Sequence, residues 1–342
     1  MNKMHKRITQ NQSGLVSITI SIVIMVVLTL IVLGFATIAR REQRQALDRQ
    51  LSTQAFYAAE SGINDAMEAL KFDPTAEKPN CDNSAASPIY SSLSSQVDGT
   101  NVRYTCLLVD ASPTTLEYGN IDTSKSNVIP VQSKNGSAVN SINLGWQDKN
   151  ASSADFSGCP SSGNFPALSG WSGCTAGVLR VDLVPISGVL SRTNLMNNNF
   201  TVFLVPVSGG AGTVAYSVPA GQGSIGQANC TNGGTPKWCS LSITGLSANT
   251  YYLRVRSIYR ANALTVTAYN AGSQLELAGV QAQIDSTGKA SDVLRRVVVR
   301  VPIGANREGI PDFAIESNGS ICKKFYVYPG NAVDEASPAC SL

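Results

Sequence analysis

A run of 25 residues without a charged side chain, Leu15 to Ala39, constrains this chain more than any other feature of its 342-residue sequence. As a helix rising 1.5 Å per residue, the run extends for roughly 37 Å, which exceeds the roughly 30 Å hydrocarbon layer of a membrane. It is also longer than the apolar region of a secretory signal, which has about 7 to 15 residues. The run therefore predicts a single membrane-spanning helix rather than the core helix of a compact domain.

Charge does not orient this helix. Residues 1–14 read MNKMHKRITQNQSG and carry three basic residues and no acid, while four arginines lie between residues 40 and 49. Because orientation follows the excess of Lys and Arg on one side of the membrane, basic residues on both sides leave it open.

The cysteines indicate the side more clearly. All eight lie beyond the apolar run, and none has the two-residue spacing of a zinc ribbon or a redox motif. An even number on one side of a membrane favours disulfides in an oxidising compartment. Pairing between cysteines close in the sequence is the simplest of the 105 possible connectivities. The candidate pairs are Cys81 with Cys106, Cys159 with Cys174, Cys230 with Cys239 and Cys322 with Cys340.

A second helical pattern continues directly from the apolar run. Apolar residues recur at three- and four-residue steps up to Pro74, which predicts an amphipathic helix over residues 40–73. Unbroken from Leu15 to Phe72, the helix would have 58 residues and a length of about 87 Å. Its apolar stripe consists of Leu47, Leu51, Ala55, Ala59, Ile63, Ala66 and Leu70.

The segment QAFYAAESGINDA, at residues 54–66, together with the basic leader and apolar run, resembles the type IV pilin superfamily and, within it, the amino-terminal region of PilX-type minor pilins. The likeness covers residues 1 to about 72. It implies that a prepilin peptidase removes residues 1–14 by cutting between Gly14 and Leu15. It also implies that residues 15–39 first lie in the inner or cytoplasmic membrane as a single-pass helix and later in the core of an extracellular pilus on a bacterial cell.

One residue departs from the family pattern. The fifth position after the implied cut is usually glutamate in major pilins, and it is Thr19 here. In the family, the carboxylate is thought to neutralise the terminal ammonium of the neighbouring subunit, since an unpaired charge in hydrocarbon is costly. A subunit at the filament tip would not need that carboxylate. Alternatively, Thr19 is one of several small polar residues whose hydroxyls bond back to helix carbonyls.

The rest of the chain is predicted to be mainly β, so the fold class is α+β with a large β-rich, disulfide-containing head. Residues 74–175 are rich in Ser, Asn and Gly and predict a loop-rich β region. Residues 176–342 hold the better strand patterns. The predicted strands are Val102 to Val109, Gly177 to Val184, Phe200 to Val205, Tyr251 to Ile258, Leu264 to Tyr269 and Val293 to Val301.

Composition excludes many enzyme classes. His5 is the single histidine, so the head has no imidazole for a catalytic triad or a histidine metal site. No nucleophile motif of the GxSxG type is present. We therefore predict a protein that is not an enzyme and that needs neither a metal nor a cofactor.

Arginines interleaved with tyrosines form a candidate face for DNA or an anionic glycan. A solvated outer sheet face, where arginine and tyrosine are ordinary, explains the same pattern and is the reading we favour. The arginines are Arg254, Arg256, Arg260, Arg295, Arg296 and Arg300.

These features together predict a minor pilin of a type IV pilus that lies in the filament or at its tip and supports assembly, adhesion or surface contact. Its predicted partners are other pilins, the prepilin peptidase, the pilus assembly machinery and, before assembly, the membrane. Two alternatives remain: a pseudopilin of a type II-like secretion system, and a membrane-tethered extracytoplasmic binding domain or hydrolase whose leader is not cut.

Overall fold

A computed structural model describes most of the chain between residues 13 and 303. The described residues exclude 83, 92, 94, 99–100, 149–155, 157, 160–170, 172, 187–196, 218–223 and 231–237. The leader up to residue 12 and the segment 304–342, with Cys322 and Cys340, lie outside the described residues.

The first element is one long helix, α1, which runs from Ser13 to Phe72 over 60 residues. At 1.5 Å per residue it is about 90 Å long. No proline interrupts these residues, and the helix ends two positions before Pro74. Beyond its end, the Asp73 carboxylate accepts hydrogen bonds from the Thr75 amide at 3.0 Å and the Thr75 hydroxyl at 2.7 Å, which fixes a turn. The predicted continuous helix is confirmed.

A short helix and fifteen strands follow among the described residues. The helix α2 is Pro88–Ser91. The strands are β1 Gln96–Asp98, β2 Val102–Asp110, β3 Thr115–Ile121, β4 Asn127–Gln132, β5 Ser141–Asp148, β6 Val178–Pro185, β7 Phe200–Ser208, β8 Thr213–Ala215, β9 Ser224–Cys230, β10 Cys239–Thr244, β11 Thr250–Ile258, β12 Asn262–Asn270, β13 Ser273–Gln274, β14 Gln281–Ala290 and β15 Val293–Pro302.

Two compact units are built from these elements. Among the described residues, the first unit comprises 13–72, 76–110 and 283–299, and the second comprises 73–75, 111–282 and 300–303. The first unit therefore combines segments that are far apart in sequence. Strand β5, within the predicted loop-rich region, pairs with β10 and β12 from the predicted head region.

The first unit holds α1 against a four-stranded sheet of order β1-β2-β14-β15. Strand β2 pairs antiparallel with β14, so Ser286 lies opposite Leu107 and Gly288 opposite Tyr104. The register shifts between Thr287 and Gly288, where a bulge interrupts the ladder. The carboxyl half of α1 packs on β2.

The second unit is an eleven-stranded sheet among the described residues, with the order β13-β12-β5-β10-β9-β7-β6-β11-β4, and with β3 paired to β12 and β8 to β10. Most pairs are antiparallel, but β7 with β9 and β8 with β10 are parallel. Alternate residues point inward, as in β12, where Leu264, Val266 and Ala268 are buried. These inward residues join one continuous hydrophobic cluster that includes residues from β3, β4 and β12.

All six predicted strands are present, each within two residues of its predicted ends or extended beyond them. The α+β fold class, with a long helix and a strand-rich head that contains disulfides, is confirmed.

Candidate functional site

The amino half of α1 is the most unusual surface of the molecule. Every residue from 17 to 50 is exposed. The apolar part of this segment is long enough to span a membrane, and none of the described residues covers it. An exposed apolar surface of this size on a soluble protein would be an aggregation hazard, so it requires lipid or other helices as its surroundings. The exposed large apolar residues of this half are Ile18, Ile20, Ile22, Val23, Ile24, Met25, Val26, Val27, Leu28, Leu30, Ile31, Val32, Leu33, Phe35 and Ile38.

Two threonines inside the apolar run donate hydrogen bonds back to the helix itself. The Thr29 hydroxyl lies 3.0 Å from the Met25 carbonyl oxygen and 2.8 Å from that of Val26. The Thr37 hydroxyl donates to the Gly34 carbonyl oxygen at 2.8 Å. Because hydroxyls that bond back to the helix bring no unpaired donor into hydrocarbon, α1 is compatible with a bilayer along this half.

The carboxyl half of α1 buries one stripe against the sheet of the first unit. Ala55, Ala59, Ile63, Ala66 and Leu70 of the predicted stripe are all buried, and Leu51 is half-buried. Leu47 lies before the packed region and is 57% exposed. The same helix therefore leaves its first half uncovered and fixes its second half to the head.

Two glycines allow this helix and sheet to approach closely. A methyl group added to Gly288 on β14 would overlap the backbone of Ala55 and Ala59. On the helix side, a methyl group added to Gly62 would lie 2.5 Å from the Ser286 hydroxyl oxygen and 3.1 Å from the Tyr104 ring. Sequence analysis did not select these glycines, although a glycine inside a strand pattern is a known signal of close backbone approach.

Polar contacts also join α1 to the sheet. The Tyr104 hydroxyl donates to Asp65 Oδ2 at 3.0 Å, and the Arg295 guanidinium donates from Nε to the Ser52 hydroxyl at 2.8 Å. Burial and the neighbouring Asp65 carboxylate raise the pKa of Tyr104 well above its ordinary value. The helix is thus held to its sheet by packing and by hydrogen bonds from two strands.

The opposite side of the same helical segment remains open. Phe56 is 46% exposed and Tyr57 is 59% exposed, and their rings contact each other edge to face with centroids 6.0 Å apart. Adjacent aromatic rings on an open helix face are typical of protein contact surfaces. They form a second exposed apolar surface on α1, which the charged residues 40–49 separate from the apolar run.

Three disulfides are present among the described residues, with the pairs that sequence proximity favours. Cys81 bonds Cys106, Cys159 bonds Cys174 and Cys230 bonds Cys239. The pair Cys322 with Cys340 lies outside the described residues.

A buried lysine supports the loop of the first disulfide, and sequence analysis missed it. Lys78 is 4% exposed, and its ammonium donates to the carbonyl oxygens of Asn80 at 2.9 Å, Cys81 at 3.3 Å and Asp82. Burial lowers the pKa of Lys78, and the nearby Asp82 charge opposes that shift. The ammonium thereby satisfies carbonyl oxygens of a loop that makes little regular structure.

The six predicted arginines are divided between the two units. Arg295 and Arg296 lie in the first unit, and the other four lie in the second. Arg296 forms a forked ion pair with Asp285, with Nε 2.8 and 2.9 Å from the two carboxylate oxygens, which raises the pKa of Arg296. Within the second unit, Arg260 pairs with Asp148 at 2.9 Å and Arg300 with Glu117 at 3.0 Å.

The remaining two arginines, Arg254 and Arg256, are exposed on β11. The Arg256 Nε donates to the Thr123 carbonyl oxygen at 2.9 Å. Arg254 lies opposite Asp182 in the ladder with β6. Most of the predicted face is therefore engaged by acids and carbonyl oxygens of the protein itself.

The predicted cleavage site and the family departure both lie on the first turns of α1. Gly14 and Leu15 belong to the helix, although their side chains lie outside what the structure describes. Thr19 is exposed in the apolar half.

The structure thus combines one long helix, whose apolar run is uncovered and whose carboxyl half packs on the sheet of the first unit, with a strand-rich, disulfide-containing remainder. Residues 13–64 match the family model described as PilX N-terminal. This match falls within α1, so the amino-terminal segment is that of PilX-type, type IV pilin-like proteins, and the head lies outside it. No curated protein and no solved structure matched the chain.

Proposed function

We propose that this chain is a minor pilin of a type IV pilus, assembled into the filament or at its tip, where it supports pilus assembly, adhesion or surface contact. The observation that carries the proposal is the coincidence of the PilX N-terminal match with α1, whose residues 17–50 no described part of the protein covers. The work is mechanical, and we propose no catalytic step.

The proposed mechanism exchanges one apolar environment for another. Before assembly, residues 15–39 of α1 lie in the bilayer, because this stretch has no charged side chain that lipid would have to accommodate. When the assembly machinery extracts the subunit, helices of neighbouring pilins replace the lipid. Because lipid tails are as apolar as leucine, close van der Waals packing between helices drives this exchange rather than the hydrophobic effect.

The fixed carboxyl half of α1 sets where the head lies in such a filament. Since Ala55, Ala59 and Ile63 are buried against the sheet, that half cannot detach from the head without exposing them. The sheet of the first unit must therefore follow the helix, outside the filament core. Disulfides in the head are consistent with an oxidising exterior.

Thr19 supports a position at or near the tip. Without a carboxylate there, this subunit offers no partner to the charged amino terminus of a neighbour ahead of it. A tip subunit has no such neighbour, so it loses nothing by the replacement.

Amino-terminal sequencing of the protein recovered from sheared filaments tests the proposal. We expect the mature chain to begin at Leu15 and to co-purify with filaments. The Gly14→Val variant should stay uncut and remain in the membrane fraction. Gly119→Val is the matched control, because Gly119 lies on β3, outside α1, with nothing within 4 Å of an added methyl group, and this variant should be cut and incorporated as usual.

Two results would overturn the proposal: a wild-type chain that keeps residues 1–14 in cells, or a mature chain that never leaves the membrane fraction. Gold-labelled antibody against the head addresses the tip position separately. Label at filament ends supports it, whereas label spread evenly along the shaft contradicts the tip position but leaves filament membership intact.

A further inference from the structure

The outer face of the second unit carries a groove of about 770 Å³ that the pilin role does not use. It lies across β10, β5, β12 and β3, which are neighbours in the sheet. Its volume falls within the range of about 300–1,000 Å³ typical of small-ligand sites.

The floor of the groove consists of small polar side chains in aligned rows. One row runs from Ser240 through Gly145 and Thr265 to Glu117, each residue paired with the next across adjacent strands. The next row places Asn143 opposite Thr267, which in turn lies opposite Thr115. Strands about 4.8 Å apart thus present hydroxyl and amide groups at regular spacing.

Aromatic rings border this polar floor. Trp238, Tyr118 and Tyr269 are half-buried and line the groove. Trp238 immediately precedes Cys239, whose disulfide to Cys230 holds the start of β10. A side chain on Gly145 would come within 3.9 Å of the Trp238 ring and 2.6 Å of the Thr265 hydroxyl. Glycine at this position therefore keeps the floor open beneath the indole.

The groove also contains an acceptor that the described protein leaves unused. Asn143 Oδ1 is buried and has no hydrogen-bond partner among the described residues. A buried carbonyl oxygen without a donor is unfavourable, so it favours a ligand that supplies a donor. A sugar hydroxyl is such a donor. In the floor, the Thr265 hydroxyl donates to the Gly145 carbonyl oxygen at 3.2 Å and can still accept, and the Thr115 hydroxyl accepts from Gln274 at 3.2 Å and can still donate.

The charge of the groove excludes an ionic ligand. Glu117 is the one charged residue among its described lining residues, and it is paired with Arg300 at 3.0 Å. Nucleic acids and sulfated glycans need unpaired cations, which this lining does not offer. An apolar peptide or lipid would leave the rows of hydroxyl and amide groups unpaired.

We propose that this groove binds a neutral glycan, with the half-buried Trp238 ring against the apolar face of one sugar and Asn143 Oδ1 accepting from a sugar hydroxyl. A sugar ring has apolar C–H faces and hydroxyl groups around its edge. It can therefore pack one face on an aromatic side chain while its hydroxyls bond to neighbouring polar groups. The proposal does not depend on filament membership, because it concerns the head of a single chain.

The test uses the full chain in polyoxyethylene-ether micelles, which carry no sugar head group. An array of neutral and sulfated oligosaccharides is screened first, followed by titration with tetrasaccharides of glucose, mannose and N-acetylglucosamine. Binding should change the tryptophan emission. The other two tryptophans are buried, with Trp146 donating to the Gly177 carbonyl oxygen and Trp171 to that of Ala176, so the response reports Trp238.

We expect at least one neutral oligosaccharide to bind, and Trp238→Ala and Asn143→Leu each to weaken its binding at least tenfold. Isothermal titration calorimetry measures the affinity of every variant, because Trp238→Ala lacks the reporting indole. Tyr252→Ala is the matched control, since Tyr252 is a half-buried tyrosine on β11 outside the groove. The affinity of this variant for the oligosaccharide should equal that of the wild type. Near-ultraviolet circular dichroism checks that each variant is folded. Binding only to sulfated glycans, no binding to any neutral glycan, or full affinity in Trp238→Ala would overturn the proposal.

Discussion

Tyr104 on β2 donates its hydroxyl hydrogen to Asp65 on α1, with 3.0 Å between the two oxygens, and so joins the long helix to the sheet of the first unit. Tyr104 is 7% exposed, and Asp65 lies on the helix 39 residues earlier. Both burial and the carboxylate favour the neutral phenol, which raises the pKa of Tyr104 above its ordinary value of 10.0.

This link predicts an alkaline weakness of the first unit. Because the folded state holds the phenolic proton more tightly than the unfolded chain, the contribution to stability is complete below about pH 10. It is lost as the pH rises toward the folded-state pKa. At pH 8, Tyr104→Phe should lower the free energy of unfolding by about 1 kcal/mol, because the hydrogen bond to Asp65 is lost. Because phenylalanine has no proton to release, the variant should also lose less stability than the wild type between pH 8 and pH 11.

Scanning calorimetry of the full chain in micelles at the two pH values measures both effects. Tyr57→Phe is the control, because Tyr57 is 59% exposed on the same helix. If wild type and Tyr104→Phe lose stability equally between pH 8 and pH 11, the Tyr104 link is not the cause.

The elements of this fold were predictable because their signals are local. The uncharged run, the stripe through Ala55, Ala59 and Ile63, and the absence of proline up to Pro74 define α1 from the sequence alone. Strands such as β12 show alternation that burial reproduces residue by residue. Pairing between cysteines close in sequence also follows from local spacing.

The remaining features depend on contacts between distant residues, which a single sequence does not encode in any local pattern. Strand β2 pairs with β14 across about 180 residues, and only this register brings Gly288 beneath α1. The polar groove requires β10, β5, β12 and β3 to become neighbours, although they are not consecutive in the chain. The acids that pair with Arg260 and Arg300 also come from strands distant in the sequence, so no local pattern reveals these ion pairs.

Close packing at Gly288 predicts a large cost for a small substitution. In Gly288→Ala the added methyl group meets backbone atoms of Ala55 and Ala59, which cannot move without displacing the helix. We expect a loss of about 3 kcal/mol, at the upper end of overpacking costs. Gly119→Ala in β3 is the matched strand control, since nothing lies within 4 Å of its added methyl group. Denaturant unfolding of both variants gives the comparison, and an equal loss would show that Gly288 is not tightly packed.

Replacement of Ser286 should not destabilise the protein, although its side chain is buried. Its hydroxyl is buried beneath Gly62 and has no hydrogen-bond partner among the described residues. Ser286→Ala removes an unsatisfied group and should leave stability unchanged or raise it by about 1 kcal/mol. Ser257→Ala should instead destabilise, because the equally buried Ser257 hydroxyl accepts a hydrogen bond from Asn262. Unfolding midpoints that fall for both variants would argue against an unsatisfied Ser286.

Removal of different disulfides should lower the free energy of unfolding by different amounts. In the chain-entropy model, the 25-residue separation of Cys81 and Cys106 corresponds to about 3.5 kcal/mol, and the 9-residue separation of Cys230 and Cys239 to about 2.5 kcal/mol. The double variant Cys81→Ser/Cys106→Ser should therefore lower stability more than Cys230→Ser/Cys239→Ser. Its effect should fall on the first unit, where the Lys78 ammonium contacts the Cys81 carbonyl oxygen. Hydrogen exchange of peptides from each unit separates the two effects, and faster exchange confined to the second unit in the Cys81→Ser/Cys106→Ser variant would contradict this assignment.

The exposed aromatic pair on α1 provides a test of assembly that is separate from folding. Phe56 and Tyr57 contact each other but leave about half of their surfaces open, at 46% and 59%. Burial of the remaining half of each side chain against a neighbouring subunit would contribute roughly 0.8–1.5 kcal/mol. Phe56→Ser/Tyr57→Ser should reduce the amount of this chain in sheared filaments while leaving its unfolding midpoint unchanged. Leu294→Ser on β15, which also removes an exposed apolar side chain from the first unit, should leave filament content unchanged. Normal filament content in the double variant would mean that this face of α1 makes no contact that assembly needs.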